Sequence, residues 1–112
     1  MVERTDALDA VFGALSDPTR RDILKRVSKK SMSIGEIARH YELTFAAVAK
    51  HLVVLERAAL VTKTRQGKEQ IVTIAPLALA AANTHLEYYR ELWQGRLESL
   101  DQFLRTLNRK GP

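Results

Sequence analysis

The sequence predicts a mainly α fold carrying one small β-hairpin, and three patterns lead there. Apolar residues recur at steps of three and four through four stretches before residue 60 and again after residue 77, the spacing of one helix face. Between them, 61–66 and 69–74 change to runs of Val, Ile and Thr on either side of Gly67, the habit of two paired strands. Helix-starting residues stand at the joints: Asp17-Pro18, Ser33 with Glu36, Thr44, and Pro76.

In chain order, Leu8, Val11, Phe12 and Leu15 give a first amphipathic helix over 6–15. Ser16-Asp17-Pro18 interrupts it, with Asp17 as cap and Pro18 at the first helical position of a second helix reaching about Ser28. Its inward face is Ile23, Leu24 and Val27, and 28–31 is a polar connection. Ser33 and Glu36 form a capping box for a short third helix ending near Tyr41, with Ile34, Ile37 and Ala38 inward. After a tight turn at Glu42-Leu43, Thr44 caps a fourth helix that continues to Ala58 or Ala59 and buries Val48, Leu52 and Leu55. Gly67 provides the hairpin turn. Pro76 then opens a helix over about 77–108 with no internal proline.

That last helix carries Leu86, Tyr89, Trp93, Leu97, Leu100, Leu104 and Leu107 in one stripe. A 112-residue chain makes one domain with a small core, and so wide a stripe exceeds what it can cover. A second copy of the chain is the expected partner, with folding back on its own domain as the alternative.

Composition narrows the function. Without cysteine, disulfides, thiolate metal sites and thiol redox switches are excluded. The opening residues are charged and no apolar segment follows, so neither signal peptide nor membrane anchor is expected, and a cytoplasmic location fits. The net charge is +5, and residues 16–70 hold 12 Lys/Arg against 6 Asp/Glu, so the whole basic excess lies there. A concentrated basic region points to a polyanion, most simply double-stranded DNA.

Two helices joined by a short turn (33–59), followed by a basic hairpin (61–74), make a winged helix-turn-helix with terminal helices left for dimerisation. A helix fits the major groove, where base edges present distinct donor and acceptor patterns. The candidate DNA-binding residues are Thr44, Phe45, Ala46, Ala47, Lys50 and His51 on the fourth helix, with Lys63, Arg65, Gln66 and Lys68 on the wing. Thr44 also serves as a cap; Phe45 either packs beneath the helix or meets a thymine methyl; His51 contacts the backbone or packs beside the wing. Arg20 and Arg21 are weaker candidates. The candidate dimer residues are Leu8, Val11 and Phe12, then Leu86, Tyr89, Trp93, Leu97, Leu100 and Leu104.

The run ALSDPTRRDIL at 14–24 resembles the opening signature of ArsR-type bacterial transcriptional repressors, and AVAKHLVVLERAALV at 47–61 resembles their recognition helix and the start of the wing. The tail, with Tyr89-Arg90-Glu91-Leu92-Trp93, Arg96-Leu97 and Leu100-Asp101, is similar to the cysteine-poor branch that includes SdpR-like autorepressors. The resemblance implies a dimer paired through its first and last helices on an imperfect palindrome. Most relatives carry Ser where this chain has Ala49, and many carry Ser, Gln or Pro where Phe45 and Ala46 stand, so the leading turn is unusually apolar. Readout through thymine methyls and DNA shape follows.

Many ArsR-type proteins sense metals. The family's last-helix ligand pattern falls here on Asn83, His85, Arg96 and Ser99, and an arginine and a serine cannot replace two zinc ligands. No metal and no cofactor are expected. The releasing signal could be an organic effector near the dimer interface, or repression could be set by protein concentration alone. Two other classes stand beside the repressor reading. A winged-helix protein-interaction module without specific DNA binding draws on the apolar 45–47 turn. An enzyme has little to draw on: no nucleophile sits beside a base, and there is no glycine-rich phosphate loop.

Overall fold

The structure, a computed structural model, describes residues 6–109. It contains α1 (Asp6–Leu15), α2 (Pro18–Lys29), β1 (Met32–Ser33), α3 (Ile34–Arg39), α4 (Phe45–Arg57), β2 (Val61–Gln66), β3 (Glu69–Ile74) and α5 (Pro76–Arg109). The described chain divides into two compact units between Ala82 and Asn83, so the first turns of α5 belong to the first unit and the rest forms the second.

The α1–α2 joint shows why the 14–24 signature has its composition. Helix α1 has no basic residue in its last turn to meet its free carbonyls. Arg20 supplies the donors: Nε to the Ala14 carbonyl at 2.8 Å and a terminal nitrogen to that of Gly13 at 3.0 Å. Arg21 reaches the Leu15 carbonyl at 2.7 Å. The Asp17 carboxylate accepts from the Arg20 backbone N–H at 3.0 Å, and Pro18 needs no acceptor. These arginines hold two helices end to end, a role internal to the fold.

The capping box forms as expected, Ser33 Oγ accepting from Glu36 N at 3.1 Å and Glu36 accepting from Ser33 N. Three boundaries move. Helix α2 runs through Lys29, two residues into the segment expected as a connection, α3 stops at Arg39, short of Tyr41, and α4 stops at Arg57, before Ala58. One strand was not anticipated: Met32 and Ser33 pair antiparallel with Val72 and Ile71, giving sheet order β1-β3-β2. A two-residue strand has no period to read, and Ser33 already had a local explanation as a cap.

The core of the first unit gathers Ile23 and Val27 from α2, Ile37 from α3, Val48, Leu52 and Leu55 from α4, and Leu60, Val61 and Val72 from the sheet. Val11 corrects a reading. It is 2% exposed and part of this core, so it is not available to a partner, whereas Phe12 is exposed and Leu8 packs partly against the core. Helical spacing marks apolar positions but does not say which neighbour covers each.

Helix α4 passes into β2 through a closed hydrogen-bonded end. Leu60 N donates to Leu55 O at 3.0 Å and Ala59 N to Glu56 O at 2.9 Å, the paired bonds of a Schellman motif. Ala59 takes the left-handed conformation that motif requires, at φ 59°. That conformation costs an L-residue roughly 1–2 kcal/mol, and glycine would avoid it at an entropic cost of about 0.5–1 kcal/mol. Ala59→Gly is therefore expected to stabilise the protein by about 0.5–1 kcal/mol, seen as a higher melting temperature; an unchanged or lower one would contradict this account. At the hairpin tip, Gly67 has φ 62° between paired Gln66 and Glu69.

Candidate nucleic-acid interface

Helix α4 separates its two faces cleanly. Val48, Leu52 and Leu55 are fully buried. Ala46, Lys50 and Arg57 are exposed and Val53 half-buried, at successive steps of four, three and four. These four residues form one outward stripe. Lys50 has no ion-pair partner among the described residues. Arg57 was not among the sequence candidates. Extending the outward face past Lys50 would have found it, although a basic last turn has its own rationale in the helix dipole.

Thr44 Oγ1 accepts from Ala47 N at 3.1 Å. That bond uses a lone pair and leaves the hydroxyl proton free to donate, so capping and a phosphate contact are compatible. Phe45 is 59% exposed, which excludes packing beneath the helix. Ala47 is half-buried. His51 approaches α2: its Nδ1 lies 3.9 Å from Asp17 at the start of that helix. The Arg20 backbone N–H, and then the neighbouring His51, hold the Asp17 carboxyl below the usual Asp value.

The wing residues split in use. Lys63 Nζ lies 3.3 Å from the Glu56 carboxylate, its side chain only 19% exposed, so it ties β2 to α4. Gln66 is exposed. Arg65 Nε donates to the Gly67 carbonyl at 3.2 Å while its guanidinium stays in solvent, and Lys68 is exposed without an ion-pair partner among the described residues. Arg65 and Lys68 are the wing's available cations.

A polar clamp sets the turn that aims α4. Arg26 Nε donates to Asp22 Oδ2 at 3.0 Å and to Tyr41 Oη at 3.2 Å, and its guanidinium carbon sits 5.5 Å from the centre of the Tyr41 ring. The Tyr41 hydroxyl donates to the same Asp22 oxygen, and Arg26 also meets His40 Nδ1 at 3.2 Å. Helix α2 thus grips the residues between α3 and α4. The Tyr41 hydroxyl bond, then the Arg26 bond, lowers the Asp22 carboxyl from its ordinary 3.8. A carboxyl lowered on folding adds stability above its unfolded value and loses it as pH falls through the folded one. Acid melts should show Asp22→Asn less stable than the parent at pH 6, with the gap closing below about pH 4. A gap constant across that range would contradict the clamp.

No group of three His, Asp or Glu able to hold a metal exists among the described residues, and none of their helices is long and apolar enough to cross a membrane.

Comparison with known proteins agrees with this geometry. A family model described as a helix-turn-helix domain matches residues 15–64. The HTH-type transcriptional regulator Rv2034 of Mycobacterium tuberculosis is 36% identical over 81 residues, covering 72% of this chain and 76% of that protein. The transcriptional repressor SdpR of Bacillus subtilis is 36% identical over 61 residues, covering 54% of this chain and 68% of its own. An ArsR-like transcriptional regulator from Rhodococcus sp. RHA1 superposes with a TM-score of 0.72 at 31% identity, over 87% of this chain and 92% of that one. The chain belongs to the ArsR family of winged helix-turn-helix transcriptional regulators. Helices α3 and α4 are the helix-turn-helix of this ArsR regulator and β2–β3 its wing. The family is one of DNA-binding regulators, not enzymes.

Proposed function

We propose that this ArsR regulator is a repressor that binds a palindromic operator as a homodimer. The observation that carries the reading is the outward stripe Ala46, Lys50, Val53 and Arg57, none of it needed for the core, flanked by the cations Arg65 and Lys68. Each α4 enters a major groove with Thr44, Phe45, Ala46 and Ala47 leading, and the two helices of a dimer sit about 34 Å apart. Lys50 and Arg57 reach bases or phosphates, while Arg65, Gln66 and Lys68 follow the backbone or minor groove. Lys63 acts chiefly by fixing the wing, and His51 reaches a phosphate only from beside Asp17. The kinship with SdpR, itself a repressor, favours repression.

Dimerisation rests on the exposed apolar residues of the second unit, among them Leu86, Tyr89, Trp93, Leu97, Leu100 and Leu104, together with Phe12 of α1.

Selection of bound fragments from genomic DNA, followed by footprinting, tests the reading. The expected result is a two-fold related site with half-sites one helical turn apart. Lys50→Ala should change which fragments are recovered; if affinity and preference both stay intact, α4 does not lie in the groove as placed. The exposed Phe45 keeps a protein-interaction module in view, and an affinity for random duplex that ignores salt would favour it.

A further inference from the structure

A cleft of about 440 Å³ opens between α4 and the wing. Phe45, Ala49 and Val53, spaced four apart along one side of α4, line it together with Ile34 of α3, and Arg65 and Lys68 supply its cations. The volume lies within the range of pockets that hold small organic ligands. The four apolar side chains offer no donor to replace the hydration of a phosphate, so this surface suits a hydrocarbon body. The charge is one-sided as well. Lys63 also lines the cleft but is neutralised by Glu56 at 3.3 Å, leaving Arg65 and Lys68 against the single carboxylate of Glu69. The cleft therefore joins an apolar strip, Phe45, Ala49, Val53 and Ile34, to the polar side chains of Ser33 and Gln70 and to a net positive charge.

We propose that this cleft binds a small amphipathic monoanion, a hydrocarbon body bearing one carboxylate, and that the bound anion excludes DNA. The second half rests on the DNA-binding reading above. Phe45, Arg65 and Lys68 line the cleft and also belong to the proposed DNA surface, so one set of side chains serves two competing occupants. A ligand that binds only the DNA-free form must weaken DNA binding in proportion to its own occupancy. Ala49 is a determinant of this site: it leaves the space that a larger side chain would fill.

Calorimetry on the full chain without DNA tests the site itself, with naphthoate and decanoate as probes and naphthalenemethanol as the uncharged control. One of the two anions should bind saturably, one per protomer, and the alcohol should bind at least about tenfold more weakly than naphthoate if naphthoate is the ligand. Ala49→Leu, confirmed folded by its melting curve, should abolish the binding. Lys68→Ala, on the exposed wing, should weaken it about tenfold. In a second arm, the bound anion should raise the protein concentration needed to half-saturate a labelled duplex. Failure of both anions to bind, binding that survives Ala49→Leu, or binding without loss of DNA affinity would each overturn the proposal. Failure to bind duplex in the absence of any anion would instead refute the DNA-binding reading, and with it the exclusion step, while the calorimetric arm judges the cleft independently.

Discussion

Trp93→Glu combined with Leu97→Glu should convert the protein to a monomer. Trp93 is 65% exposed, and Leu97, Leu100, Leu104 and Leu107 continue the same stripe in solvent, with Tyr88, Leu92 and Phe103 beside it. A contiguous apolar surface of this kind on a single helix marks an interaction face. A helix left without packing gains little from propensity alone, so its stability depends on what covers that stripe. Two carboxylates there would have to be desolvated without partners in the dimer, while in the monomer they stay hydrated. Sedimentation equilibrium should read a single-chain mass. Operator affinity should fall by about 10²–10⁴, because each half-site then binds without the effective concentration supplied by the other. An unchanged dimer would remove this stripe from the interface.

Removing the wing's available cations should have the next largest effect. Arg65→Ala with Lys68→Ala is expected to weaken binding to all duplex sequences alike. Every phosphate left without its cation lowers the slope of log affinity against log salt by about 0.9, so a dimer lacking both side chains on each protomer should flatten by about 3.6. Lys63→Ala is the control: its ammonium is held by Glu56, and the slope should barely move while stability drops. If Lys63→Ala changed the slope as much as Lys68→Ala, the division of the wing into fixing and DNA-facing residues would be wrong.

Much of this architecture is legible locally. Asp17-Pro18, Ser33 with Glu36, and Thr44 start helices through bonds spanning three residues, and each forms as the spacing implies. The hairpin follows from Gly67 between Val- and Thr-rich runs. What could not be read depends on partners far away in the chain. Met32 pairs with Val72, Tyr41 with Asp22, and His51 approaches Asp17, and no periodicity encodes those meetings. Arg20 and Arg21 show the same limit for charge: counted as part of the basic region, they are committed to the end of α1. Val11 shows it for apolar patterning.

The two-sidedness of α4 bears on how such a regulator can change. Ala46, Lys50 and Arg57 take no part in the core, and the residues that hold the helix in place occupy its other side. With α4 in the major groove as proposed, substitution at those three positions should leave the folded state nearly untouched while altering which bases are met. The chain can thus drift to a new operator one side chain at a time without crossing an unstable intermediate, and the same three positions are where a library for retargeting would be placed.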